Sequence, residues 1–116
     1  MLETDFTDGI YCLTLARPDK RNAINAALIM AIERAVAATP PTAGAILIGA
    51  RGPHFCAGLD LSETLDNDAR TVFEISQLWQ RVFNRLQERG LPIIVVMSGA
   101  VIGGGLELAV TGHVRV

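Results

Sequence analysis

Cysteine is scarce, with only Cys12 and Cys56 among 116 residues. Two thiols cannot build the disulfide framework of a small secreted domain, and neither sits in a CxxC or a Cys/His spacing that would bind zinc. Both are expected to be reduced, as in a cytosol. The chain also lacks any uninterrupted apolar run of the roughly 18 residues or more that a membrane-spanning helix needs. Its opening, Met1-Leu2-Glu3-Thr4-Asp5, is acidic where a signal or transit peptide would be basic. Neither sign of charge prevails, since the formal net charge is −2, so nothing in the total draws the chain to nucleic acid or to an anionic membrane face. These absences predict a soluble cytoplasmic protein with no nucleic-acid or membrane partner. Internal repeats, low-complexity segments and linkers are missing too, so residues 1–116 are expected to form part or all of one domain.

What is present is apolar and ordered in its alternation. Half of the residues are hydrophobic and the mean hydropathy is +0.36, enough for a core. Ile10 to Leu15 alternates like a strand, and the Asp8-Gly9 turn before it could pair it with Thr4 to Thr7. A charged loop follows at Arg17-Pro18-Asp19-Lys20-Arg21. Asn25 then stands as a helix N-cap before Leu28, Ile32 and Val36, and Pro40-Pro41 closes that helix. Ala45 to Ile48 reads as a buried strand, and the Gly/Pro-rich stretch after it as a loop. From about Ala69 to Arg89, Val72, Ile75, Trp79, Val82, Phe83 and Leu86 share one helical stripe that stops at Gly90. Ile93 to Met97 is a second buried strand, Leu106 to Thr111 a short helix, and Val114-Arg115-Val116 a third strand. Strands alternating with helices predict an α/β fold with ligands at the carboxyl ends of the strands.

Two glycine-bearing loops leave such strand ends. In Arg51-Gly52-Pro53-His54-Phe55-Cys56-Ala57-Gly58-Leu59-Asp60-Leu61, the small Ala57-Gly58 pair lets a backbone N–H face a ligand unobstructed. The plainer reading is a structural turn anchored in the core by Phe55 and Leu61. In the second loop, Gly103-Gly104-Gly105 opens a helix, where free N–H groups and the positive helix end converge. It is not a dinucleotide fingerprint, because the third glycine of GxGxxG would fall at Leu108, and it is not a P-loop, because no Gly-Lys-Ser/Thr follows. One N–H from each loop, aimed at one point, would form an oxyanion hole, each donor contributing about 2.7–4 kcal/mol in a dry transition state.

Three ordered segments, Arg17-Pro-Asp-Lys-Arg-Asn22-Ala23, Phe55-Cys-Ala-Gly-Leu-Asp60-Leu61 and Gly103-Gly-Gly-Leu-Glu107-Leu-Ala, resemble the crotonase (enoyl-CoA hydratase/isomerase) family over essentially the whole chain. The resemblance implies the N-terminal half of a crotonase-like α/β spiral of ββα units, truncated before its C-terminal part. It also implies oxyanion donors at Leu59 and Gly104 and a catalytic acid/base at Glu107. It places the adenine end of coenzyme A on backbone around Ala23, Ala57 and Leu59, with Lys20 and Arg21 near its phosphates. Gly58, Asp60, Leu61 and Gly103 complete the substrate-binding set. The implied activity is hydration of a 2-enoyl-CoA thioester, as in fatty acid metabolism. No cofactor is required beyond the coenzyme A of the substrate and no metal is expected. A second glutamate would lie beyond Val116, and assembly as a homotrimer or dimer of trimers would follow. Other reactions of the family (isomerase, hydrolase, decarboxylase) and a non-catalytic acyl-CoA-binding homologue are the alternatives.

Glu107 also has a structural reading: with Gly104 as N-cap it falls at the third helical position, where a glutamate reaches back to the cap or complements the helix dipole. As a catalytic group it would project toward the helix N-terminus among Leu106, Leu108 and Ala109. Asp60 fits an N-cap or loop tie as well as a ligand contact. His54 and His113 lack metal or triad spacing and are read as structural, with His113 standing where the family commonly has aspartate. Cys56 reads as a small buried hydrophobe, and the Trp79 stripe as core.

Overall fold

A computed structural model describes residues 1–66 and 68–116. The chain opens with a hairpin of β1 (Leu2–Thr7) and β2 (Ile10–Leu15), paired antiparallel from Leu2 opposite Leu15 to Thr7 opposite Ile10. Asp8 and Gly9 form its two-residue turn with φ of 54° and 79°, the positive values that match the twist of a tight hairpin. A single 3-10 turn at Pro18–Lys20 occupies the charged loop. Helix α1 (Ala26–Ala37) begins at Asn25, whose side chain accepts from the Leu28 N–H, and ends before the two prolines. Then come β3 (Ala45–Ala50), α2 (Leu61–Asp66), α3 (Ala69–Gln87), β4 (Ile93–Val95), α4 (Gly104–Val110) and β5 (Val114–Arg115).

The strands form one mixed sheet in the order β1-β2-β3-β4-β5, parallel from β2 onward. Parallel neighbours need crossovers, which α1, α3 and α4 supply. Alternation puts Tyr11, Leu13 and Leu15 of β2, Ile46 and Ile48 of β3, and Ile93 and Val95 of β4 in the core. Leu28, Ile29, Ile32 and Val36 of α1 and Val82, Phe83 and Leu86 of α3 are buried in the same cluster. At the rim, Glu33 of α1 accepts from Arg81 (3.1 Å) and Arg85 (2.7 Å) of α3.

Four expectations change. The Gly/Pro-rich stretch is not all loop, because α2 forms within it, led by Asp60, whose carboxylate accepts from the Ser62 N–H at 3.1 Å. Leu61 does not anchor that stretch in the core: it is 70% exposed, whereas Phe55 is fully buried. The N-cap of α4 is Gly103, with φ 53°, so Glu107 lies at the fourth helical position and its N–H bonds the Gly103 carbonyl at 3.0 Å. That excludes the capping-box reading, which needs the acid at the third position and a side chain at the cap. Strand β4 also stops at Val95, short of the anticipated Met97.

Candidate active site

Strands β3 and β4 are parallel neighbours, so the loops that follow them leave the sheet side by side, and a backbone ladder continues between them. Phe55 N–H donates to the Ser98 carbonyl (2.7 Å), Cys56 N–H to Ala100 (3.0 Å) and Ile102 N–H to Cys56 (3.1 Å), with a parallel bridge between Cys56 and Val101. The His54 ring joins in, its Nδ1 accepting from the Ala100 N–H at 2.9 Å. His113 acts likewise, with Nδ1 accepting from the Ile93 N–H at 3.0 Å. Both histidines are thus structural acceptors, as expected.

The first loop is held from the other side by Asn22. This fully buried amide donates to the carbonyls of Arg51 (3.0 Å) and His54 (2.8 Å) and accepts from the Arg17 N–H (2.8 Å). The Cys56 thiol lies 3.1 Å from the Asn22 carbonyl, and burial raises its pKa, which suits a packed residue and not a nucleophile. Arg17 reaches Asp60 at 2.9 Å and the Ala23 carbonyl at 2.9 Å. The hydrogen bond from the Ser62 hydroxyl and then the Arg17 guanidinium hold the Asp60 carboxyl below its usual range. Asp60 is therefore the loop tie that its position after the turn suggested.

This framework fixes the direction of the Leu59 amide. Ile24 pairs with Leu59 in a parallel bridge: Ile24 N–H donates to the Gly58 carbonyl (2.8 Å) and Asp60 N–H to the Ile24 carbonyl (2.8 Å). Since successive backbone groups alternate sides, the N–H of Leu59 points away from Ile24. Gly104 is the first residue of α4, where an N–H has no acceptor within the helix. Among the described residues neither amide has a hydrogen-bond acceptor. The two loops meet closely: a Cβ on Gly58 would lie 3.0 Å from the Ile102 carbonyl and 3.9 Å from the Gly104 nitrogen.

Leu59, Gly104 and Glu107 line one cavity of about 200 Å³, together with Asp60. Glu107 sits one turn of α4 beyond Gly104 and is exposed. Of the other anticipated contacts, Ala23, Ala57 and Gly58 are carried on the same pair of segments, since Ala57 N–H donates to the Arg21 carbonyl at 3.0 Å. The side chains of Lys20 and Arg21 are exposed, and neither these two nor Ala23, Ala57, Gly58, Leu61 and Gly103 belong to the cavity lining.

The opposite wall went unrecognised in the sequence. Val72, Ile75, Ser76 and Trp79 of α3 line it. Their spacing marks one helix face, but an apolar stripe cannot say whether it covers a core or a cavity. Trp79 does both: its ring packs against Phe83 with centroids 4.1 Å apart, while its buried Nε1 has no hydrogen-bond partner among the described residues. Among the described residues no group of three or more His, Cys, Asp or Glu could hold a metal, and no helix is long and apolar enough to cross a membrane.

A mixed α/β sheet that sends two backbone-lined loops to one cavity defines the class of protein, and comparison makes it specific. The family profile described as Enoyl-CoA hydratase/isomerase matches residues 5–116. A 2,3-dehydroadipyl-CoA hydratase of Escherichia coli (strain K12) is 36% identical over 86% of this chain and 39% of its own length. The cyclohexa-1,5-dienecarbonyl-CoA hydratase of Thauera aromatica is 35% identical over 87% of this chain and 38% of its own. Among solved structures, an enoyl-CoA hydratase of Mycobacterium smegmatis superposes with a TM-score of 0.92 at 28% identity, covering 98% of this chain and 46% of that one. The chain belongs to the crotonase (enoyl-CoA hydratase/isomerase) family and has its fold. It spans less than half the length of these relatives.

Proposed function

We propose that this chain supplies the oxyanion hole and one acid/base glutamate of an enoyl-CoA hydratase, which adds water across the double bond of a 2-enoyl-CoA thioester. The observation that supports the reading is that Leu59 and Gly104, whose amides have no acceptor among the described residues, line one cavity with Glu107. Attack of water at the β-carbon moves negative charge onto the thioester oxygen. Two main-chain donors held by the sheet stabilise that charge without reorganising, by about 2.7–4 kcal/mol each. Glu107 exchanges a proton with the attacking water or the adjacent carbon, and a second acid/base completes the transfer.

Coenzyme A would lie with its adenine against the bend made by Ala23, Ala57 and Leu59 and its phosphates toward the exposed Lys20 and Arg21. Gly58, Asp60 and Leu61 continue that bend, and Gly103 turns the chain into α4. No further cofactor enters this reaction. Assembly as a homotrimer or dimer of trimers belongs to the same reading, and the exposed α4 face with Leu106 and Val110 suits it.

The test is Glu107→Gln in the full-length protein, assayed by loss of enoyl absorbance with crotonyl-CoA. Turnover should fall by about 10²–10⁴-fold, while acyl-CoA affinity measured by calorimetry changes little. Undiminished hydration would remove Glu107 from the mechanism.

A further inference from the structure

The Trp79 side chain is 5% exposed, and its indole N–H has no acceptor among the described residues. A buried donor left unpaired is costly, so its position needs a partner supplied from elsewhere. The ring is locked between core and cavity by its contact with Phe83. Its nitrogen faces the side of Gly104 that lacks a side chain: a Cβ there would stand 3.5 Å from Nε1. The donor is thus beside the reacting end of the cavity. One turn earlier on the same helix face, Ser76 brings a hydroxyl to the same wall, beside the apolar Val72 and Ile75. A site made only for a hydrocarbon acyl chain would gain nothing from these groups and would leave the indole N–H unsatisfied when dry.

Resting on the hydratase reading for its thioester, we propose that the acyl group taken here carries its own oxygen acceptor near the reacting carbons, as a hydroxyl or carboxylate, and that Trp79 selects it by donating its indole N–H. Trp79 is then a specificity-determining residue. The discrimination follows from the asymmetry of hydrogen bonding in a closed site, where an analogue without the acceptor leaves the donor stranded.

Binding, not turnover, tests this. Calorimetry on the full-length protein would compare three saturated, unreactive thioesters: butyryl-CoA, 4-hydroxybutyryl-CoA and glutaryl-CoA. The wild type should bind at least one oxygenated thioester about tenfold more tightly than butyryl-CoA. Trp79→Phe keeps the aromatic packing but has no N–H, and should bind all three within about twofold of one another. Preference for the hydroxyl or for the carboxylate assigns the acceptor. Equal wild-type affinity for the three overturns the proposal, and this arm needs no variant to fold. A uniform weakening in Trp79→Phe that preserves the preference also overturns it, making Trp79 a packing residue. Because hydration of crotonyl-CoA is not measured here, the catalytic reading and this one can fail separately.

Discussion

Arg17 and Asp60 lie 43 residues apart in sequence, and their charged groups meet at 2.9 Å with little of either side chain in water. The same guanidinium holds the carbonyl of Ala23 at 2.9 Å, so one cation ties the charged loop to both the bend before α1 and the start of α2. The Asp60 carboxyl is held down first by the Ser62 hydroxyl and then by Arg17. A carboxyl whose folded pKa is depressed stabilises the fold above its unfolded value, near 3.9, and that contribution is lost as pH falls through the lower folded value.

Arg17→Ala should therefore cost about 1–2 kcal/mol at neutral pH through the lost ion pair and the Ala23 hydrogen bond. The gap from wild type should narrow below about pH 4, as Asp60 is protonated. Urea unfolding at pH 7 and pH 3 checks this. A gap of the same size at both would mean that the charge pair contributes nothing.

Asn22 carries a larger share. It is buried, it sits at φ 56°, and its amide makes three hydrogen bonds to the backbone of two segments. Asn22→Ala should cost about 3 kcal/mol, since two carbonyls and one N–H lose their partner and alanine tolerates the left-handed conformation less well than asparagine. Thermal and urea denaturation would register the loss, and a change under about 0.5 kcal/mol would show that water replaces the amide.

At Gly58 the backbone has φ 102°, and an added Cβ would press on the Ile102 carbonyl at 3.0 Å. Gly58→Ala should separate the two loops by a fraction of an ångström. If Leu59 and Gly104 share one oxygen atom, that displacement should lower the rate of hydration by about 100-fold. The fall should be in kcat more than in KM. A variant with normal kcat would detach the loop contact from the chemistry.

The sequence was most informative where signals are local. Asp8-Gly9 announces its hairpin, Asn25 its helix and the Trp79 stripe its amphipathic face, because turn, cap and periodicity are each decided within a few residues. The two glycine loops were visible as potential donor sites, though only the sheet could bring them together. Helix α2 escaped notice because its leucines, the residues that would announce a buried face, are exposed: Leu61 by 70% and Leu65 by 83%. In Gly103-Gly104-Gly105 no side chain marks the cap, so its place by one residue was not legible. The Asn22 and Arg17–Asp60 links were hidden by their sequence separation. The idle N–H of Trp79 was hidden as well, since a stripe reports burial and not the partners of individual atoms.

The ladder between the residues after β3 and those after β4 has one more consequence. The backbone bonds at Phe55, Cys56 and Ile102 stitch these segments to each other as neighbouring strands are stitched. Prising them apart would break main-chain pairing continuous with the middle of the sheet, so admitting a large molecule between them is a local unfolding event. Exchange of a ligand with the hollow is thereby kept off this seam, so the two loops stay in register while the cavity fills and empties.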